Sequence, residues 1–476
     1  MPQWKPRVPL PYSAEDLERV VSDALRVLQE IGLECPHREV ARRLAEWPGA
    51  AYERGRVTFA PDPLREHVSE KRARLAGFPQ EDDTHFTLGG CWAALYYCDP
   101  LTQDVRPAAS QEAAQMARLW DARGLHGIVP VVPGDVTPAL VTLTAERLAL
   151  ENSRFLGGSL PVADAEEVRF LTDMNLAAGR RYQLLEHVGI SPLRLDAGAL
   201  EVALLFQHNP DLRVTLGGFM PIAGATAPLD PRSALVQAVA ESIGFDVLCS
   251  VLGFPDGLGL GLYPFDFRYG AIVFGSAEWC LYHALSLQMT EHLTGRPVRH
   301  GGFRSTGKRP DPQATLERAA SALWQALLGV RHFGAVGQLS TDEVFSPQQA
   351  VLDREILGYV ERVVRGIDLG PPEVDPVELI GAGVREGSFL GVMDTVTRFR
   401  DFYHFPDIFR HWTVRGWRTA GQPSILTEAW TRAQEEITSS RFHLADDQAR
   451  AVKNLYAKAC AYLQGRPSTA REEARK

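Results

Sequence analysis

Leu212-Arg-Val-Thr-Leu-Gly-Gly-Phe-Met-Pro-Ile-Ala-Gly-Ala-Thr-Ala-Pro-Leu-Asp-Pro231 is the stretch from which the fold is read. Arg213 to Phe219 is β-branched and apolar with no turn residue before Gly217, which predicts a buried parallel strand. Met220 to Pro228 carries Pro and Gly punctuation without periodicity, so it reads as a loop leaving the strand's carboxyl end. Asp230 and Pro231 then supply an N-cap and a first-turn proline for a helix running from about Arg232 into the 240s. Strand, loop and capped helix make one β/α unit. The loop is long and apolar for a connector and is read as part of a site wall; the alternative is a loop packed against its own barrel.

Outward from this unit the alternation continues. Toward the N-terminus, amphipathic helices at Gln111–Ala122, Thr137–Glu151, Asp164–Ala178 and Ala197–Gln207 alternate with strand candidates at Leu125–Val132, Arg154–Leu160 and Tyr182–Gly189. Toward the C-terminus, strand candidates at Leu258–Tyr263, Val298–Gly302 and His332–Gln338 alternate with helices at Ala277–Leu293, Gln313–Leu328 and Pro347–Arg365. Seven apolar strands between helices point to a parallel α/β fold. A closed TIM (β/α)8 barrel is expected over 109–370 for two reasons. No GxGxxG stands between a strand and a helix, and the region has the length of a barrel of about 250 residues. An eighth strand is not obvious. Residues 1–108 read as an N-terminal helical region, opened by the capping signal Ser13-Ala-Glu-Asp, followed by a β-hairpin over Gly89–Pro107. Residues 371–464 read as a C-terminal helical segment, and 465–476 as a disordered tail.

Composition narrows the function. The chain has 476 residues, 45% hydrophobic and 23% charged, which is long enough for a large core and typical of a globular protein. A net charge of −9 gives no phosphate-backbone footprint, so no nucleic-acid partner is expected. Six cysteines stand scattered without a CxxC pair, against a zinc ribbon, a radical-type iron–sulfur cluster or a disulfide framework. HExxH is absent too, and no metal site is expected. The N-terminus leads into no signal-like apolar segment and no run of 18 apolar residues occurs, so a cytoplasmic protein without a membrane partner is expected.

Several blocks together resemble one family. They are Leu28-Gln-Glu-Ile-Gly-Leu33, Ile190-Ser-Pro-Leu193, Pro221-Ile-Ala-Gly-Ala-Thr-Ala-Pro228, Phe274-Gly-Ser276, Lys308-Arg-Pro-Asp311 with Gln313, Leu352-Asp-Arg-Glu-Ile-Leu357, Arg365-Gly-Ile367, Gly387-Ser-Phe-Leu-Gly391 and Thr397-Arg-Phe-Arg400. In this order and spacing the chain resembles the trimethylamine methyltransferase (MttB-like) superfamily of corrinoid-dependent methyltransferases. The resemblance implies a TIM barrel, homo-oligomers, and methyl transfer to the Co(I) of a corrinoid (cobalamin) carried by a cognate corrinoid protein, with no cofactor held tightly by this chain. Founding members carry pyrrolysine, which is not written here; members without it are known as quaternary-amine demethylases, glycine betaine being the best-known substrate. The chain departs from the family pattern at Ser388 and Asp394, where many relatives carry histidine, at Thr306, where aspartate is common, and over Thr341–Pro347, which replaces a Gly-rich segment.

Demethylating a quaternary amine needs little acid–base help, because the leaving group is a neutral tertiary amine. The site must hold a permanent cation with aromatic faces and carboxylates, and a carboxylate tail with Arg or His. Barrel sites lie at strand carboxyl ends. That filter selects Asp266 and His300 as the catalytic candidates. For substrate binding it selects Glu186, His187, Phe219, Tyr263, Phe265, Arg268, Phe303, Arg304 and Gln338. Tyr263-Pro-Phe-Asp-Phe-Arg-Tyr269 puts aromatics, an anion and a cation on one loop; its bland reading is an aromatic loop packing on a helix. Glu186 and His187 are adjacent on a strand, so they point to opposite faces. Trp92, Tyr96 and Tyr97 read as hairpin core or as a lid on the mouth. Two other functions are weighed: corrinoid-independent chemistry on a small amine or anion, and a binding barrel without catalysis.

Overall fold

The computed structural model describes residues 12–79, 85–158, 160–162, 164–255, 257–367 and 374–464. The tail expected at 465–476 lies outside them.

Leu212–Gly217 is a strand, and Tyr182–His187 is its parallel neighbour, in register from Leu212↔Tyr182 to Gly217↔His187. Tyr182, Leu184, Leu212 and Val214 turn to one face and pack on helices Ala165–Ala177 and Ala197–Phe206 in a common core. The residues between them turn to the other face, as the two-residue period of a strand requires. Asp230 caps the following helix by accepting from Ser233 N at 2.8 Å, with Pro231 in the first turn and Gly253 ending it at φ +77°. This helix, Pro231–Leu252, is apolar enough and long enough to cross a membrane. However, 89% of its most apolar window is buried inside the chain, between the strands and helix Ala14–Glu30.

The remaining strands are short. His300–Gly302, His332–Gly334 and Thr87–Leu88 pair in parallel, Val344–Phe345 pairs in parallel with Tyr96–Cys98, and Ile222–Ala223 with Tyr263–Asp266. Single parallel bridges join Ala94 to Val131 and Gly127 to Leu156. The expected hairpin is present as Tyr96–Cys98 with Val105–Arg106, but Thr87–Leu88 just before it belongs to a parallel sheet that the sequence did not reveal. The result is a mixed α/β molecule with several small sheets. Among the described residues hydrogen bonds trace no closed ring of strands, in contrast to the barrel expected.

The gap has a physical cause. Over 257–262, where a strand was expected from Leu258, backbone groups bond to helix side chains instead of to a neighbouring strand. Gly257 N donates to Asp246 Oδ1 (2.8 Å), Gly259 N to Ser242 Oγ (3.2 Å) and Leu260 N to Thr290 Oγ1 (3.3 Å). Pairing resumes at Tyr263.

The N-terminal part joins this body through a five-stranded sheet in which Glu34 pairs with Arg194. Helix Ala14–Glu30 carries a complete capping box at Ser13 and buries Leu17, Val21, Leu25 and Leu28 against Pro231–Leu252. Toward the C-terminus, helix Ile425–Ser439 packs on Pro347–Arg365 and Ser110–Arg123, where Arg123 pairs with Glu436 at 2.6 Å. Helix Asp446–Gln464 packs on Ala165–Ala177.

Candidate functional site

A cavity of about 550 Å³ opens at the carboxyl ends of the two paired strands. Its floor depends on Gly217 and Gly218. A Cβ on Gly217 would stand 2.3 Å from His187 Nδ1, and one on Gly218 would stand 3.1 Å from the Phe245 ring, so only glycine lets these rings lie on the strand ends. Met220 and Pro221 continue the wall into the special loop. There Thr226 Oγ1 accepts from Ile222 N (3.0 Å), and Gly224, at φ +88°, leaves room for the Phe267 ring. The loop is a wall of the cavity at its strand end and a packed turn beyond it.

The opposite wall carries the charge. Arg304 Nη1 donates to Asp342 Oδ2 at 2.7 Å, and its guanidinium lies 4.9 Å over the Phe274 ring, which in turn lies 5.6 Å from Tyr263. Asp342 ends a run of three non-glycine residues in the left-handed region, Ser340 (φ +51°), Thr341 (+58°) and Asp342 (+72°). Each such residue costs on the order of 1–2 kcal/mol. Surrounding bonds hold the run in place. Ser340 N and Thr341 N donate to the Gly307 and Ser305 carbonyls, at 2.8 and 2.9 Å. Arg318, wholly buried and paired with the equally buried Asp353, donates to the carbonyls of Ala335 and Gln338. Gln338, also buried, accepts from Trp92 N (3.1 Å) and donates to the carbonyls of Trp92 (2.6 Å) and Asp342 (3.3 Å). One amide thus ties the half-exposed Trp92 to the loop that presents Asp342. His187 projects into the cavity 6.0 Å from Trp92, and partial desolvation lowers its pKa, which keeps it neutral at pH 7.

The trimethylamine methyltransferase (MTTB) family model matches residues 5–459. The chain belongs to this family. Among its relatives, trimethylamine methyltransferase MttB of Desulfitobacterium hafniense is 23% identical over 89% of this chain and 88% of its own length. MttB of Methanosarcina barkeri (strain Fusaro) is 26% identical over 52% of this chain and 49% of its own, so the match with that relative spans only about half its length. Among solved structures, HydG, a hydrogenase maturase, superposes with a TM-score of 0.34 at 11% identity over 96% of this chain and 94% of that one, a likeness too slight to carry an argument.

In this MTTB-family chain the residues selected from sequence divide. His187, Phe219, Tyr263 and Arg304 line the cavity, and Gln338 clamps its edge from beneath. Asp266 does not reach it. Its carboxylate accepts from Arg268 N (2.7 Å) and Tyr269 N (3.1 Å), closing the turn between Tyr263–Asp266 and Ala271–Ile272 and leaving Arg268 exposed at the tip. Phe265 packs edge-on against Phe267 in the same hairpin. His300 stands at the opening end of its strand, stacked 4.7 Å from His332, away from the carboxyl end where the cavity lies. Phe303 is fully buried beneath the Arg318 guanidinium, 5.0 Å away. Glu186 turns to the face opposite His187, where burial, and then Asp196, push its carboxyl up to about 7. Sequence reasoning missed Phe274 and Asp342 and favoured hairpin core over a lid for Trp92, which lines the cavity. The signal was present: Phe274-Gly-Ser276 is a family block, and Thr341–Pro347 is where the chain leaves the family's glycine-rich pattern. Among the described residues, no group of three or more His, Cys, Asp or Glu is placed to hold a metal.

Proposed function

We propose that this chain is a methyltransferase that presents a quaternary amine to a corrinoid carried by a separate protein, with the 550 Å³ cavity as the amine site. The observation that carries the reading is the Asp342 carboxylate, held in a strained loop beside the aromatic faces of Trp92, Phe219, Tyr263 and Phe274. Such a wall suits a cation that offers no hydrogen bond. Asp342, oriented by the Arg304 guanidinium, balances its charge. His187, its pKa lowered by desolvation, adds no second positive charge to that of Arg304. The departing tertiary amine is neutral, so no proton donor is needed. A corrinoid carried by its own protein would supply the methyl acceptor at the cavity mouth.

A (β/α)8 barrel is part of this reading, and a succession of parallel neighbours supports it. Thr87–Leu88 lies beside His332–Gly334, and that strand beside His300–Gly302. A Cβ on Gly90 would touch the His126 carbonyl, Gly127 bridges Leu156, and Gly158 lies against Gln183 in the long parallel pair. Thr87–Leu88 would be the strand the sequence concealed, and the barrel would begin there instead of at 109. Exposed Val377 and Val384 on helix Pro376–Glu386, Met393 opening helix Met393–Phe402, and Leu390 in the turn between them favour a homo-oligomer.

The test is demethylation of a panel of quaternary amines, followed by mass spectrometry, with and without a corrinoid protein. Methyl loss that needs the corrinoid protein and disappears in Asp342→Asn is expected. Turnover without it would replace this reading with corrinoid-independent chemistry, and ligand binding without turnover would leave a binding protein.

A further inference from the structure

Asp256-Gly-Leu-Gly-Leu-Gly-Leu-Tyr263 places glycine at every second position, and Gly257, Gly259 and Gly261 all line the cavity, while Leu258 and Leu262 pack into the core behind. Two of these glycines have a reason inside the protein. A Cβ on Gly257 would stand 2.7 Å from the Phe245 ring, and one on Gly261 would stand 2.7 Å from the Tyr263 hydroxyl. Gly259 has none. Its φ is not left-handed and a Cβ there would meet nothing within 4 Å. Glycine loses more conformational freedom on folding than alanine would, so here the chain accepts that cost and leaves space.

The space has a direction. Contacts run along the wall from the Asp342–Arg304 pair to Phe274 and Tyr263, whose hydroxyl lies by Gly261; four residues earlier in the same segment Gly257 lies against the Phe245 ring. The charged end holds the ammonium group in the proposal above, on which this inference rests. The far end is bare backbone and a phenyl ring. At about 550 Å³ the cavity lies within the range of about 300–1,000 Å³ that holds drug-sized molecules and is several times what a trimethylammonium group needs. We propose that the glycine-lined face is a specificity slot for an apolar arm of the substrate, and that the substrate is a quaternary amine whose fourth substituent is an unbranched alkyl or flat apolar group longer than carboxymethyl.

Calorimetric titration of the full chain with n-alkyltrimethylammonium ions, from tetramethyl through ethyl and butyl to hexyl, tests this. Each methylene entering the slot should tighten binding about fourfold, so butyl, with three more methylenes, should bind about 60-fold tighter than tetramethyl. In Gly259→Leu the butyl-to-tetramethyl ratio, read within one protein, should fall to near one, with Gly259→Ala between. Tetramethylammonium binding with no gain along the wild-type series would overturn the slot and leave the ammonium site standing. A gain that survives Gly259→Leu would place the arm elsewhere and overturn it too. No binding by any member would remove the ammonium site and the slot together.

Discussion

Replacing Asp353 with alanine should both destabilise the chain and empty its site. Asp353 and Arg318 are each 0% exposed. The carboxylate accepts from Arg318 Nε (2.7 Å) and Nη2, from Gly337 N (2.7 Å) and from Gln349 Nε2 (2.9 Å). Removing it strands a buried guanidinium, which costs about 3–5 kcal/mol. An unfolding entropy of about 2.1 cal/mol/K per residue gives about 1 kcal/mol/K for a chain of this length unfolding as one unit, so Tm should fall by about 3–5 °C. The second effect is local. Arg318 also holds the Ala335 and Gln338 carbonyls, and through them the left-handed run that ends at Asp342. Quaternary amines should therefore no longer raise the Tm of Asp353→Ala, although Asp353 does not line the cavity. Arg318→Met with Asp353→Leu should recover part of the lost stability, because an apolar pair replaces the ions, but not the ligand response, because the two loop carbonyls keep no donor. Scanning calorimetry with and without ligand reads both. A Tm change under 1 °C in Asp353→Ala, or a ligand response restored by the double variant, would refute the reasoning.

Asp342→Asn keeps the shape of the loop and removes its charge; tetramethylammonium affinity measured by titration should fall at least tenfold. Asp266→Ala should leave that affinity within twofold and lower stability by about 1 kcal/mol, the net worth of the turn's hydrogen bonds, measurable as a shift in urea midpoint. Burial pushes the Glu146 carboxyl up to about 7, although Asn175 Nδ2 and Gly158 N donate to it. Its folded pKa lies above its unfolded value, so its contribution to stability is complete below about pH 4.5 and is lost as pH rises through about 7. Glu146→Gln should flatten the urea-midpoint profile across that window and be the more stable protein at pH 7.5; an unchanged profile would remove Glu146 as its source.

Much of the local structure was legible because its causes are local. Asp230-Pro231 starts a helix wherever it stands, since cap and proline act on their own turn. Arg213–Phe219 reads as a strand because β-branched residues fit an extended backbone. That a loop follows it was legible for the same reason, since Pro221 and Gly224 dictate their own backbone. Leu258–Tyr263 misled, because alternating leucine predicts a strand only if a neighbouring backbone is there to pair, and the partners turned out to be Asp246, Ser242 and Thr290.

The sequence by itself determined the β/α succession, the family blocks, and the residue types a cation site needs. Tertiary structure alone decided which of those residues meet. Asp266 and Asp342 are the same residue type in the sequence; one spends its carboxylate on the amides of its own turn, and the other pairs with Arg304 on the cavity wall. The partners that orient Asp342 come from Arg304, Arg318, Gln338 and Asp353, on separate segments of the chain. No periodicity within a short window encodes such contacts, because they depend on how separate elements pack.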